Sequence, residues 1–210
     1  MKNFFSKSLA VAALSLAALA GTASAGTVFQ SVSNLTDTTK FTSPWCSSCS
    51  GTFRIFDQFT LANNESIDGF SVALYSSAPY WGSGLNFSIW TIGTGNTPDT
   101  QLFSQSFSDS DFTTTTLRND ALIASTNNVS GLDLSAGSYY VSFNNTNLAV
   151  WGYQGGGGNL YQQGNQHHAG TSAGFTLSGA ENNVPEPESL ALVGLGLAAL
   201  GFTRRKAKQA

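Results

Sequence analysis

Residues 53–61, FRIFDQFTL, decide the fold class because every second side chain from Phe53 to Leu61 is apolar except that of Asp57. In an extended chain a period of two places these side chains on one face, which predicts a half-buried β-strand. The exception, Asp57, indicates a hydrogen-bonded turn or a bulge within the apolar face. The stretch therefore predicts one strand of a sheet that covers a core.

Similar short segments continue on both sides at roughly ten-residue spacing, and turn residues separate them. About eight to eleven such strands predict an all-β domain, either a β-sandwich or a jelly roll. The sequence shows no fixed internal repeat, which argues against a propeller or a solenoid. Residues 37–51, 109–118, 155–158 and 163–168 are predicted loops, and the glycine run at 155–158 is expected to be mobile. The other predicted strands are 27–33, 67–75, 85–92, 102–107, 121–124, 138–143, 148–153 and 174–179.

Residues 1–25 have the three parts of a secretory signal peptide: two lysines, an apolar run at 9–20 and a short cleavage signal. The cleavage signal is the A-x-A pattern of Ala23 and Ala25, so Gly26 is the predicted mature start. A permanent N-terminal anchor is the alternative, and the well-formed cleavage site argues against it.

Residues 190–202, LALVGLGLAALGF, are uncharged, and three basic residues follow them closely. In lipid, a helix satisfies the backbone hydrogen bonds of such a run internally, so a transmembrane anchor is predicted over 190–210. Each basic side chain costs about 3 kcal/mol at mid-bilayer, and three together halt translocation. A buried core helix is the alternative, but the run is apolar on all faces. The predicted stop-transfer residues are Arg204, Arg205 and Lys206.

Three features stand in order at this end of the chain: a Val-Pro-Glu-Pro segment, a short Gly- and Leu-rich span and a basic cluster. Together they closely resemble the PEP-CTERM sorting signal, with one departure at Glu188, where serine often follows the second proline. The resemblance implies that exosortase, a membrane-embedded cysteine peptidase or transpeptidase, recognises the motif and removes or exchanges the tail there. It also implies a Gram-negative host and a link to exopolysaccharide or biofilm. The motif residues are Val184, Pro185, Glu186 and Pro187.

Four segments follow from these boundaries: a signal peptide at 1–25, a β-sandwich at 26–181, a linker with the motif at 182–189 and the anchor at 190–210. The segments FDQFTL, IDGFSVALY, FSIWTI, AGSYYVSF and AGFTLSG of the body are similar to uncharacterised β-sandwich domains that precede PEP-CTERM tails. That resemblance implies a shape and no activity. The expected location is first the inner membrane, as a tethered precursor, and then the cell surface or extracellular matrix.

The body between Gly26 and Pro185 has three basic and ten acidic residues, which is a formal charge of −7. Phosphate backbones bind through clustered lysine and arginine, so a nucleic-acid partner is excluded. An acidic polysaccharide would be repelled unless a divalent cation bridged it.

The two cysteines, Cys46 and Cys49, lie close together in an exported chain, where a disulfide is the default. The Trp-Cys-x-x-Cys pattern superficially resembles a thioredoxin redox site. That chemistry needs a helix after the motif, and a β-patterned run follows here. A zinc site is a weaker alternative, because the adjacent pair at His167 and His168 supplies the only other ligands of the usual kind.

No residue pattern singles out a catalytic centre. Glycosidases need two positioned carboxylates, and the ten acids of the body define no particular pair. Residues 109–111, Asp-Ser-Asp, fit solvated turn acids better than a Ca²⁺ loop, and His167 and His168 fit loop residues better than a base. The sequence has no G-x-S-x-G and no P-loop. We therefore predict a non-enzymatic protein without cofactor or metal.

Aromatic residues in or beside predicted loops are the remaining candidates for ligand binding. Exposed rings stack on sugar faces while amide side chains hydrogen-bond the hydroxyl groups. For Trp151 a core position is the favoured alternative. The expected function is therefore a surface or matrix protein associated with exopolysaccharide; the alternatives are a glycan hydrolase or lyase and a purely structural adhesin. The candidate glycan contacts are Tyr80, Trp81, Trp151 and Tyr153.

Overall fold

The computed structural model describes residues 25–47, 54–75, 84–145, 148–163 and 166–180. These ranges contain thirteen strands and two short 3-10 helices, Thr38–Lys40 and Asp109–Asp111, but no α-helix. Within them no helix is long and apolar enough to cross a bilayer. The predicted signal peptide, sorting motif and anchor lie outside the described residues. The strands are β1 (Ala25–Gln30), β2 (Phe41–Ser47), β3 (Ile55–Leu61), β4 (Glu65–Tyr75), β5 (Leu85–Ile92), β6 (Pro98–Phe107), β7 (Thr113–Arg118), β8 (Ala121–Thr126), β9 (Leu132–Leu134), β10 (Gly137–Asn144), β11 (Leu148–Gln162), β12 (Gln166–Ala173) and β13 (Phe175–Ala180).

All thirteen strands belong to one hydrogen-bonded sheet, whose main path runs β1-β13-β4-β11-β3-β10-β5-β6. The paired strands are antiparallel. The fold is therefore all-β and sandwich-like, as the alternating pattern predicts. The large buried core includes Phe59, Phe70, Phe87, Phe143 and Phe175.

Strand β11 lies between β4 and β3 in the main path of the sheet. Its first half pairs with β2 and touches β4, whereas its last residues pair with β3. Between them, Gln154 pairs with Thr171 and Asn159 with Ala169, so four residues of β11 lie opposite one residue of β12. The prediction of a glycine loop at 155–158 is thus wrong, because this run is a bulge inside a strand. Gly155 has a φ of 82°, which explains why glycine is needed at the bend.

Three further predicted loops contain strands. Strand β2 lies inside the predicted loop at 37–51, β7 inside 109–118, and β12 begins inside 163–168. Strand β2 pairs with β11, which is distant in the sequence, and β7 and β12 consist mostly of polar residues. The local pattern of these strands therefore gives little indication that they are strands. In β7 the four threonines are exposed, and within the described ranges the strand pairs with β8 alone.

Asp57 also departs from its prediction. It lies in the middle of β3, neither in a turn nor in a bulge of that strand, where Val141 of β10 and Leu160 of β11 pair with it. Its neighbours Ile55 and Phe59 lie in the core, so Asp57 shares their inward face. The bulge lies in β11, the strand beside it.

Gly174, between β12 and β13, is expected to be intolerant of any side chain. A Cβ there would overlap the ring of Tyr153, which is fully buried and whose hydroxyl donates to the Leu35 carbonyl at 2.5 Å. The backbone of Gly174 cannot retreat, because its N–H donates to Trp151 and its carbonyl accepts from Ala73. We expect Gly174→Ala to lower the free energy of unfolding by about 1–3 kcal/mol in urea denaturation.

The matched control for this variant is Ser135→Ala, an exposed position before β10. It should change the free energy of unfolding by at most about 0.5 kcal/mol. Equal stability of Gly174→Ala and wild type would contradict this account of the packing.

Candidate functional site

A polar cavity of about 390 Å³ is a candidate site among the described residues. Two phenylalanines form its apolar wall, and side-chain amides and hydroxyl groups form the rest. None of these lining residues is charged. The lining consists of Phe29, Gln30, Ser31, Gln58, Phe59, Thr60, Gly158, Asn159 and Ser172.

Strands β1, β3, β11 and β12 bring this lining together. The rings of Phe29 and Phe59 are 5.5 Å apart and both pack on the core. Ser31 holds the end of β1 in place, because its hydroxyl donates to the Ala173 carbonyl at 2.7 Å and accepts from the N–H of Phe175 at 2.9 Å. The hydroxyl of Ser31 therefore already has hydrogen-bond partners within the protein, and a ligand would hydrogen-bond to other polar groups of the cavity.

Asp57 lies directly behind the lining. Its side chain is 1 % exposed, and neither carboxylate oxygen has a well-aligned hydrogen-bond partner. Burial raises the pKa of Asp57 well above its usual range, although the nearby N–H groups of Ala173 and Gln58 offset part of that effect. A carboxyl in this position is held in its neutral, protonated form, because an ion without partners is costly in a core.

Asp57 and Ser172 both lie against Gly158. A Cβ at Gly158 would overlap the Ser172 hydroxyl and lie 2.9 Å from Oδ1 of Asp57, so these two polar groups already fill the space beside Gly158. Ser172 is fully buried, and its hydroxyl has no hydrogen-bond partner. Two buried polar groups without a well-aligned partner thus lie close together beside Gly158.

A second pair of unsatisfied groups lies between β2 and β12. The rings of Trp45 and His168 are 4.2 Å apart, and the buried atoms Trp45 Nε1 and His168 Nε2 both lack partners. His167 instead packs on Tyr161 at 4.9 Å, so the adjacent histidines face opposite ways, as neighbours in a strand do. The prediction that they lie in a loop is wrong, because β12 contains both.

Two of the four candidate glycan contacts are core residues. Trp151 is 5 % exposed and stacks on Phe41 at 4.6 Å, and Tyr153 is fully buried. The guanidinium of Arg118 lies 4.6 Å from the Trp151 ring centroid and covers it from outside. Neither ring presents a face to a ligand, so the prediction that these two residues contact a glycan is wrong. The other two, Tyr80 and Trp81, lie outside the described residues.

The predicted turn acids at 109–111 have structural partners. The carboxylate of Asp111 accepts from the N–H and the hydroxyl of Ser108, both at 2.7 Å, and caps a 3-10 helix. That of Asp109 accepts from the N–H of Gly84 at 2.8 Å. In the described ranges no three histidine, cysteine or acidic side chains cluster as metal ligands would.

The predicted disulfide is only half within the described part of the chain. Cys46 lies in β2, where it pairs with Ala149 of β11. Its predicted partner, Cys49, lies outside the described residues. The disulfide therefore stays a prediction.

Sequence reasoning missed most of the polar cavity. Ser172, Asn159 and Gln58 belong to no motif, and nothing in their local pattern marks them. Asp57 carried the one usable signal, an acid on an apolar face, and that signal was interpreted as a turn or bulge.

The described structure and the chain's end define a class: an all-β, sandwich-like domain followed by a terminal sorting sequence. Residues 183–206 match the family model of the PEP-CTERM protein-sorting motif. The chain thus carries a PEP-CTERM motif, which implies export and membrane-anchored processing by exosortase. No curated protein sequence matches the chain.

Proposed function

We propose that the protein is a surface or matrix protein of a Gram-negative cell, where its β-domain associates with extracellular polysaccharide without catalysis. The sorting motif at 183–206 is the observation that carries this proposal. Exosortase processing first requires a precursor tethered in the inner membrane and then separates the domain from its anchor. The stop-transfer cluster of Arg204, Arg205 and Lys206 holds that precursor.

The polar cavity supports a binding role better than a catalytic one. Glycoside hydrolysis uses two carboxyl groups on either side of the scissile bond, commonly about 5 or 9 Å apart. Among the described residues, the lining has no acid, and only Asp57 lies just behind it. Amide and hydroxyl groups beside an apolar wall are instead typical of sites that recognise polar ligands.

A carbohydrate-active enzyme is the second candidate, and Asp57 is the observation that favours it. A buried carboxyl with a raised pKa is the form that a general acid takes. It would still need a base or nucleophile on the other side of the substrate.

One experiment distinguishes these candidates. The mature protein, recovered from the culture, is mixed with the host's own extracellular polysaccharide, and sedimentation and new reducing ends are measured in the same tube. We expect saturable co-sedimentation without new reducing ends, and heat-unfolded protein serves as the control. New reducing ends would establish the enzyme, whereas neither signal would indicate a purely structural adhesin.

A further inference from the structure

We propose that the edge strand β7 pairs with β7 of a second copy of the chain, antiparallel about a two-fold axis near Thr115. Such pairing would join the sheets of the two copies through backbone hydrogen bonds. This inference concerns assembly, and it does not rest on the polysaccharide association proposed above.

Strand β7 has an open hydrogen-bonding edge. Residues 113–116 pair with β8 without a register shift, and within the described ranges no other strand pairs with them. In an antiparallel ladder, every second residue directs its N–H and C=O away from the partner strand. The described part of the chain offers these outward groups of residues 113–116 no other backbone partner. A strand of another molecule can therefore pair with them.

The packing at both ends of β7 holds this edge in place and leaves it exposed. Phe112 and Leu117 flank the four threonines and pack against two different core clusters. The side chains of all four threonines are exposed, so neither face of the strand is covered between those two anchors. Because threonine has a high β-propensity, the segment is already in the extended form that a second strand requires.

Other open edges of the described sheet have features that disfavour pairing with another molecule. Edge strands are commonly protected by prolines, by bulges or by short length. Strand β2 contains Pro44, β6 begins with Pro98, and β9 has three residues. Strand β1 has a register shift, and β12 contains Gly170 with a φ of 76°. In β7 the register shift comes after Thr116, so residues 113–116 form a regular and uncharged edge.

The sequence of this edge fits a second copy of the chain as its partner. Antiparallel pairing about an axis near Thr115 places threonine opposite threonine, which is a favourable cross-strand pair. It also separates the acidic beginnings of the two strands, at Asp109 and Asp111, and brings each towards Arg118 of the other copy. Parallel pairing would instead place acid beside acid. Because both copies use the same edge, the contact closes on itself and gives a dimer.

The negative charge of the body opposes this pairing and makes it depend on salt. Each copy has a formal charge of −7 between Gly26 and Pro185, so two copies repel each other. Salt screens that repulsion, whereas the backbone hydrogen bonds do not need it. In sedimentation velocity, the processed protein should therefore show a larger dimer fraction at about 0.15 M salt than at about 0.01 M.

Thr115→Lys and Thr115→Glu test the contact, because each places two like charges close together across the axis. Each variant alone should weaken the dimer about 10-fold at fixed salt, and an equimolar mixture should restore dimers by pairing lysine with glutamate. The matched control is Thr100→Lys, which changes the same residue type at an exposed position of β6. It should dimerise as the wild type does. Urea denaturation should show unchanged midpoints for all three variants, since both side chains are exposed.

Three results would overturn the proposal: a wild type that stays monomeric at every concentration and salt, equal weakening by Thr115→Lys and Thr100→Lys, or a mixture as monomeric as its two components. Assemblies larger than a dimer would contradict a closed contact. If a monomeric wild type still sediments with the polysaccharide, the proposed function stands and only this inference fails.

Discussion

Replacement of Pro185, Glu186 and Pro187 by alanine is expected to abolish release and leave the unprocessed protein in the inner membrane. Proline fixes φ and disfavours helix in the residue before it, so the sequence predicts an extended segment at the two prolines. A protease cleft binds such an extended shape, whereas alanines would allow the predicted anchor helix to continue through the motif. Fractionation of cells and medium, followed by immunoblotting, measures the outcome.

The control for the motif variant is Glu181→Ala, which removes a nearby acid outside the matched residues 183–206. It should be processed and released as the wild type is. Normal release of the triple-alanine protein would refute recognition of the motif by exosortase.

Asp57→Asn is expected to stabilise the protein at neutral pH and to remove part of its pH dependence. The folded state holds the Asp57 proton, because burial raises the pKa of this carboxyl, whereas the unfolded chain loses it above about pH 4. Folding then takes up a proton, so the contribution of Asp57 is fully present below about pH 4 and is lost as the pH rises. Between about pH 4 and the raised pKa of folded Asp57, the free energy of unfolding of the wild type should fall by about 1.4 kcal/mol per pH unit relative to Asp57→Asn.

Urea denaturation of both proteins at several pH values, from about pH 4 to neutral, measures this difference. Other acids contribute to the pH dependence of stability with the opposite sign. Hydrogen bonds from Thr39 lower the pKa of Asp37, and those from Ser108 lower the pKa of Asp111. Those contributions cancel in the comparison, since both proteins contain them. Asp99→Asn, at an exposed position of β6, is the control. A difference that stays constant with pH would mean that Asp57 is ionised in the fold.

The all-β class and the central strands were predictable from the sequence because their pattern is local. Residues 55–61 and 85–92 alternate clearly, and each forms a strand. Strands β7 and β12 could not be predicted, since their residues are mostly polar and they are held in the sheet by pairing with β8 and β11. For β7, the high β-propensity of threonine was the available clue.

The candidate site was less predictable, because its contacts join distant parts of the chain. Tyr153 was a candidate ligand contact, yet its hydroxyl bonds the carbonyl of Leu35, 118 residues away, and the ring is buried. Ser172 and Asp57 both lie against Gly158, a residue of the bulge in β11. No spacing rule relates these three positions, so no motif could have identified them.

The most direct test of the account is the intact mass of the mature protein recovered from the cell surface and medium. Export followed by exosortase processing predicts a chain that begins at Gly26 and has lost the basic tail with Arg204, Arg205 and Lys206. A released chain whose mass includes that tail would contradict the account.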